Sequence, residues 1–170
     1  IPTVKEMTYL NTGWSGPSPT YVVEAIEERL RYESYNGPTT TDVLESGHDI
    51  ATRSKQAVGK LFGASPEEIL LTENTTEGLN VVVNGLSWND GDEVVICDLE
   101  HPSVMLPAYN LQGERGAVIR IVSPAPNATS EEVTALYSEV MTERTRLVMF
   151  SHVQYSSGLR MPVAEIAAMA

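Results

Sequence analysis

The chain has 170 residues, 42% of them hydrophobic and 20% charged, which is typical of a globular protein and excludes a disordered one. At about 150 residues per domain, this length holds one domain or one domain with a short appendage. The 23 acidic and 11 basic side chains leave a net charge of −12, which argues against a nucleic-acid partner. No apolar run approaches the roughly 20 residues that span a bilayer, so we expect no membrane contact.

Cysteine and histidine residues are scarce. The single cysteine, Cys97, excludes a disulfide framework within the chain and a zinc site built from cysteines. The three histidines, His48, His101 and His152, have no ligand spacing to one another, so we predict no metal site. No charged and then apolar leader opens the sequence, and we therefore expect a cytoplasmic protein.

The residue patterns divide the chain into an N-terminal arm, a pair of helices and a larger domain, at 1–15, 16–63 and 64–170. Turn-forming residues dominate the end of the arm. Pro19 begins the first of the two helices, and the second stops near Gly63.

From residue 64 onward, apolar runs alternate with helical patterns. The apolar runs predict four strands, at 69–71, 94–97, 118–122 and 147–150, and the first, second and fourth are expected to be buried on both faces. Helical spacing and capping signals predict helices around Leu79, from Ser103, from Thr129 and from Pro162. This alternation predicts an α/β fold with a mostly parallel sheet and flanking helices.

Polar residues follow three of the predicted strands, at 73–76, 98–103 and 151–158. In an open α/β sheet, ligands bind beyond the carboxyl ends of the strands. Thr75 and Thr76 stand at the start of a helix, where unpaired backbone N–H groups and two hydroxyls favour an anion such as phosphate. The alternative is that one of the two threonines only caps the helix.

The other candidates also have two interpretations each. His101 has the chemistry to stack on a flat ring or to act as an acid or base, or else it is a loop histidine bonded to a carbonyl. Gln154 and Tyr155 are able to donate to a ligand oxygen, although a tyrosine after a strand also serves packing. Trp14 either walls a pocket or pins its loop. The glycine patterns of a P-loop or a dinucleotide fingerprint are absent.

The order of these motifs resembles the class V aminotransferase family, the fold-type I pyridoxal-phosphate group that contains cysteine desulfurases, selenocysteine lyases and kynureninase. The motifs are Tyr9-Leu10-Asn11-Thr12-Gly13, Thr75-Thr76-Glu77-Gly78-Leu79-Asn80, Glu100-His101 and His152-Val153-Gln154-Tyr155-Ser156-Ser157-Gly158. The resemblance covers essentially the whole chain but only the N-terminal half of such an enzyme, so residues 64–170 are expected to form an incomplete cofactor-binding large domain.

The resemblance implies a role for each motif. Thr75 and Thr76 bind the phosphate of pyridoxal 5′-phosphate, and the catalytic residue His101 lies over its ring. Gln154 and Tyr155 lie on the cofactor side, with Tyr155 where many desulfurases have an asparagine. The residues implied on the substrate side are Asn11, Gly13 and Trp14.

The resemblance also implies what the chain needs from elsewhere. The lysine that forms a Schiff base with the cofactor lies beyond Ala170 in the family, and Lys5, Lys55 and Lys60 do not follow a strand of the sheet. The strand at 69–71 is left without a neighbour within the chain, and the strand at 147–150 is left with one open edge. We therefore predict a piece of an enzyme that acts on an amino acid, completed by a C-terminal polypeptide carrying the lysine and forming a homodimer. The alternative is a non-catalytic α/β binding or assembly module.

Overall fold

The computed structural model describes residues 1–170, which form two compact units, residues 1–72 and residues 73–170. The first unit consists of helices and connecting segments. Its elements are helices α1 (Thr3–Glu6), α2 (Thr20–Asn36) and α3 (Thr41–Phe62), and a 3₁₀ turn (Pro66–Glu68).

The ends of α2 and α3 lie where the sequence predicts them. Pro19 is the last extended residue before α2, and Gly63 ends α3 in the left-handed region, at φ 69°, which glycine adopts without strain. Arg29 on α2 donates hydrogen bonds to the Ser46 Oγ, at 2.7 Å, and to the Val43 carbonyl oxygen, at 3.1 Å, on α3. These bonds tie the two helices together.

The second unit is an α/β sandwich around a parallel sheet. Its elements are α4 (Thr75–Gly85), β1 (Glu93–Cys97), α5 (Pro102–Arg115), β2 (Val118–Val122), α6 (Ser130–Val140), β3 (Thr145–Met149) and α7 (Val163–Met169). The strand order is β2-β1-β3, and both strand pairs are parallel, which confirms the predicted fold class. None of the helices in the structure combines the length and apolar character that a membrane span requires.

The central strand β1 is buried on both faces, as its unbroken apolar run predicts. Val94 and Ile96 belong to a core with side chains of α4 and α5, whereas Val95 belongs to a second core with side chains of α6 and α7. The two cores contain alternate residues of β1 because successive side chains of a strand point to opposite faces. The α5 and α6 crossovers therefore lie on opposite faces of the sheet.

The segment 69–71 does not form the predicted strand. It pairs with no other strand, as the resemblance implies, and the Leu70 and Leu71 side chains are 63% and 43% exposed. A strand requires a partner for its backbone N–H and C=O groups, and no partner exists within the residues described. The outer edge of β3 also lacks a neighbouring strand, as the sequence predicts.

A buried carboxylate joins the three strands at their amino ends. Glu93 is 0% exposed and accepts hydrogen bonds from Arg120 Nη2 (2.7 Å), Thr142 Oγ1 (2.6 Å) and Arg144 Nη2 (3.1 Å). The Arg120 guanidinium, followed by the Thr142 hydroxyl, lowers the pKa of the Glu93 carboxyl, against the opposing effect of burial. The candidate functional residues lie at the other end of the sheet.

Candidate functional site

The chain leaves β1 and β3 at the same edge of the sheet. The two strands are parallel neighbours with Ile96 opposite Met149, so the segments after Cys97 and after Met149 begin side by side. From β1 the chain crosses to β2 on one side, and it then returns to β3 on the other side. Such a reversal of strand order opens a crevice at the carboxyl ends of the strands, which is where ligands bind in α/β sheets.

Glu100 connects these two segments. It is 4% exposed and follows β1 in a tight turn closed by a bond from its own N–H to the Cys97 carbonyl. Its carboxylate accepts hydrogen bonds from the Ser151 N–H (2.6 Å), the Ser151 hydroxyl (2.7 Å) and Gln154 Nε2. Sequence analysis singled out Glu100 only as half of a motif. A carboxylate three residues after a fully buried strand is the signal that identifies it, since such a group requires donors.

His101 caps α5. Its Nδ1 accepts the backbone N–H of Ser103 at 3.2 Å and lies 2.9 Å from the Ser103 hydroxyl. Because a backbone N–H only donates, Nδ1 is the acceptor and the neutral ring carries its hydrogen on Nε2. A bond from Nδ1 to a carbonyl is therefore excluded, and the alternative of a histidine bonded to a carbonyl stays a prediction for Nε2 alone. Ser103, which sequence analysis did not select, fixes the orientation of the ring.

Tyr155 lies against His101. The two ring centroids are 5.3 Å apart and the ring planes meet at 78°, in a T-shaped contact. The structure thus brings together two of the predicted site residues that come from the segments after different strands. Tyr155 is 41% exposed, so its ring also borders solvent.

Buried polar atoms lie beneath this corner. The Oε1 of Gln154, a residue that is 1% exposed, has no hydrogen-bond partner, and neither does the hydroxyl of Tyr137 on α6. Burial raises the pKa of the Tyr137 phenol, and the nearby Cys97 and Glu100 raise it further. Burial also raises the pKa of the Cys97 thiol to about 11. Because the Cys97 thiol is buried and neutral, it is not a nucleophile.

Thr75 and Thr76 lie exposed in the first turn of α4. The cap of this helix is Asn74, whose side-chain oxygen accepts the backbone N–H of Glu77 at 2.9 Å, so the interpretation that a threonine caps the helix is wrong. The Glu77 carboxylate turns back to accept the Glu73 N–H at 2.7 Å. No hydrogen bond engages the hydroxyl of either threonine, and both remain available to a ligand.

The helix α4 packs on the same core as α5, through Leu79 and Val83 against Val104 and Ala108. The segments that carry Thr75 and His101 thus begin helices on one face of the sheet. No group of three or more His, Cys, Asp or Glu side chains is arranged to hold a metal ion.

The three predicted substrate-side residues lie in the first unit. Asn11 and Gly13 are exposed, and the Trp14 side chain is 71% exposed. The Asn11 carbonyl accepts the N–H groups of Trp14 and Ser15, at 3.2 and 3.1 Å, so the loop is a closed turn. Their role toward a substrate stays a prediction.

Sequence comparison shows which proteins the chain is similar to. The profile of the family described as Aminotransferase class-V matches residues 8–170. The chain is 30% identical over 171 residues to a probable cysteine desulfurase of Methanothermobacter thermautotrophicus, a match that covers 100% of the chain and 42% of that protein.

Structure comparison agrees with this result. The chain is similar to the cystine C-S lyase C-DES in complex with its reaction product cysteine persulfide, with a TM-score of 0.91, 30% identity and coverage of 98% of the chain and 44% of the lyase. A C-DES variant with glycine covalently linked to its PLP cofactor gives a TM-score of 0.90 and 30% identity, over 98% of the chain and 43% of the variant. The chain therefore spans less than half the length of the relatives that it matches.

Proposed function

The chain belongs to the class V aminotransferase family, and from that premise we propose that it is the cofactor-phosphate-binding part of a pyridoxal-phosphate enzyme that acts on an amino acid. Family membership confirms the resemblance seen in the sequence, with the fold-type I architecture that it implied. A cysteine desulfurase or C–S lyase reaction is the first candidate, since relatives that the chain resembles carry such names. Transamination and epimerisation are the alternatives within the family.

The observation that carries the proposal is the exposed start of α4, on the same face of the sheet as the helix that His101 caps. The exposed start of α4 offers two hydroxyls, of Thr75 and Thr76, beside first-turn backbone N–H groups. A helix N-terminus with such donors suits a phosphate dianion. The donor set therefore fits the phosphate group of the cofactor.

The residues near His101 suit the ring of the cofactor. A planar imidazole held by Ser103 gives one flat wall, and Tyr155 and Gln154 add a phenol and an amide. The buried Oε1 of Gln154 has no hydrogen-bond donor in the structure and is able to accept one. When bound, pyridoxal phosphate supplies an electron sink for the α-carbon of an amino acid. His101, Tyr155 and Gln154 would orient the ring, and the Nε2–H of His101 would supply a proton donor beside it.

The lysine required by the chemistry comes, in this proposal, from a polypeptide that completes the sheet. Lys5, Lys55 and Lys60 lie on α1 and α3, and the second unit contains no lysine. The free edge of β3 offers unpaired backbone groups to a new strand. A groove of about 730 Å³ runs along this edge, lined by residues that include Met141, Thr145, Leu147 and Met169.

The test is a titration with pyridoxal 5′-phosphate of the chain assembled with its completing polypeptide. We expect a visible absorption band that borohydride removes. Thr76→Ala should weaken cofactor binding by about 1–3 kcal/mol, as for loss of a hydrogen bond to a charged group. Thr41→Ala, at the start of α3, is the matched control and should leave the affinity unchanged.

One result would reject the proposal, and a second would remove one residue from it. A folded assembly without the band favours the non-catalytic binding or assembly module. Equal affinity in Thr76→Ala and in the parent chain removes the phosphate role of Thr76. Cytoplasmic location and homodimer formation stay predictions, for which cell fractionation and measurement of the assembled mass are the tests.

A further inference from the structure

We propose that Glu100 is a positioning residue that clamps the segment after β3 to the segment after β1 and thereby holds Tyr155 on His101. The role of these two rings in the site rests on the proposed function. The clamp itself follows from contacts within the second unit.

All three donors to the Glu100 carboxylate come from one short segment. The Ser151 N–H and Gln154 Nε2 meet one carboxylate oxygen, and the Ser151 hydroxyl meets the other. Because Glu100 is 4% exposed, these donors replace the water that a carboxylate would otherwise bind. The segment between Ser151 and Gln154 is thus fixed to the turn after β1 at two points.

The segment held in this way is a closed hairpin. Gln154 donates its N–H to the Leu159 carbonyl at 2.9 Å, and Met161 donates to the His152 carbonyl at 2.8 Å. Gly158, at φ 74°, donates to the Gln154 carbonyl at 2.8 Å, in a conformation that favours glycine. Tyr155 occupies the tip, directly after the clamped Gln154, so a shift of the hairpin moves its ring.

The same clamp acts on His101, the residue after Glu100. His101 is fixed on its other side by Ser103 through Nδ1. His101 follows Glu100 and Tyr155 follows Gln154, so each lies next to one end of the clamp. The centroids of their rings are 5.3 Å apart. A ring contact is weakly directional compared with three hydrogen bonds to a buried carboxylate, so the carboxylate sets the geometry.

The alternative is that Glu100 only stabilises the fold. The chain offers a matched control, because Glu93 is also a buried carboxylate that accepts three hydrogen bonds, at the opposite end of β1. In Glu100→Gln and in Glu93→Gln, an NH₂ group replaces one of the two carboxylate oxygens. This NH₂ group then faces a hydrogen-bond donor, where the native oxygen accepted a bond. Only Glu100→Gln alters the contact between the rings if the clamp is specific.

The experiment uses NMR of the His101 ring in the full chain without cofactor. Tyr155→Leu first defines the shift that the tyrosine ring imposes on the His101 resonances. We expect Glu100→Gln to reproduce more than half of that shift, with loss of hydrogen-exchange protection at the Ser151 amide. We expect Glu93→Gln to lower the free energy of unfolding and to leave the His101 resonances in place. Ser151→Ala, which removes one donor and keeps the backbone, gives a smaller change in the same direction and replaces Glu100→Gln if that variant does not fold.

An unchanged His101 signal in the folded Glu100 or Ser151 variant overturns the proposal, as does an equal change in Glu93→Gln. Since no cofactor is present, these outcomes are independent of the titration with pyridoxal 5′-phosphate. Failure of that titration rejects the proposed function but does not change the NMR result on Glu100.

Discussion

The His101 ring contacts the Tyr155 ring in a T-shaped arrangement, with centroids 5.3 Å apart. His101 belongs to the segment after β1 and Tyr155 to the segment after β3, so the contact exists only because the two strands are parallel neighbours. It joins a residue that caps a helix to a residue at the tip of a hairpin. The position of His101 therefore depends on helix α5 and on the neighbouring segment at once.

The capping role of His101 is separable from its proposed role at the cofactor. Because Nδ1 accepts the Ser103 N–H, His101→Ala should cost about 0.5–2 kcal/mol of stability, as for loss of an N-cap. His101→Asn should retain most of that stability, since asparagine is among the best N-caps. Urea denaturation of the chain measures both values.

Turnover of the assembled enzyme then distinguishes the two roles. We expect both variants to lose activity to a similar degree, because neither has an imidazole. If His101→Asn retains the parent activity, then capping is the whole function of this histidine.

Glu93 predicts an acid-sensitive sheet. The Arg120 guanidinium lowers the pKa of the Glu93 carboxyl below 4.5 in the folded state. The folded state therefore favours the ionised form of Glu93 more than the unfolded state does. This contribution to stability is complete above the unfolded pKa and is lost as the pH falls through the lower pKa of the folded state. Below pH 4.5, stability should decline less steeply in Glu93→Gln than in the parent chain, as measured by denaturation at each pH. Parallel pH profiles would reject the assignment.

Tyr137→Phe should not destabilise the protein. The tyrosine is 0% exposed and its hydroxyl has no partner, so removal of the hydroxyl eliminates the cost of burying an unsatisfied polar group. The ring keeps its T-shaped contact with Phe150, at 5.7 Å between centroids. We expect stability to be unchanged or higher by about 1 kcal/mol. A loss of that size in thermal or urea unfolding would falsify the prediction and indicate a polar partner, such as bound water.

Cys97 should react slowly with a thiol reagent while the protein is folded. The side chain is 0% exposed, and burial raises its pKa to about 11, so the reactive thiolate is scarce at pH 8. We expect labelling at least about a hundredfold slower than in denaturant, because both access and ionisation are reduced. Rapid labelling of the native chain would show that the carboxyl end of β1 opens readily.

Local signals in the sequence were sufficient for most helices and for the central strand. Pro19 and Gly63 mark helix ends by their backbone preferences, and Thr129 forms a capping box with Glu132 at α6, where a capping signal predicts a helix. Val94 to Cys97 is apolar without interruption and forms the strand buried on both faces. Each of these features depends on residues that are close in sequence or on the hydrophobicity of one continuous segment.

Tertiary structure alone decided the features that require a distant partner. Leu70 and Leu71 have the pattern of a buried strand but remain exposed, because β-structure requires backbone bonds to another strand. Glu100 lies beside His101 in sequence, whereas its donors Ser151 and Gln154 are more than fifty residues away. Residue spacing predicted that these segments meet at one edge of the sheet. The parallel register of β1 and β3 determines which side chains bond there, because hydrogen bonds form only at short distances and in defined directions.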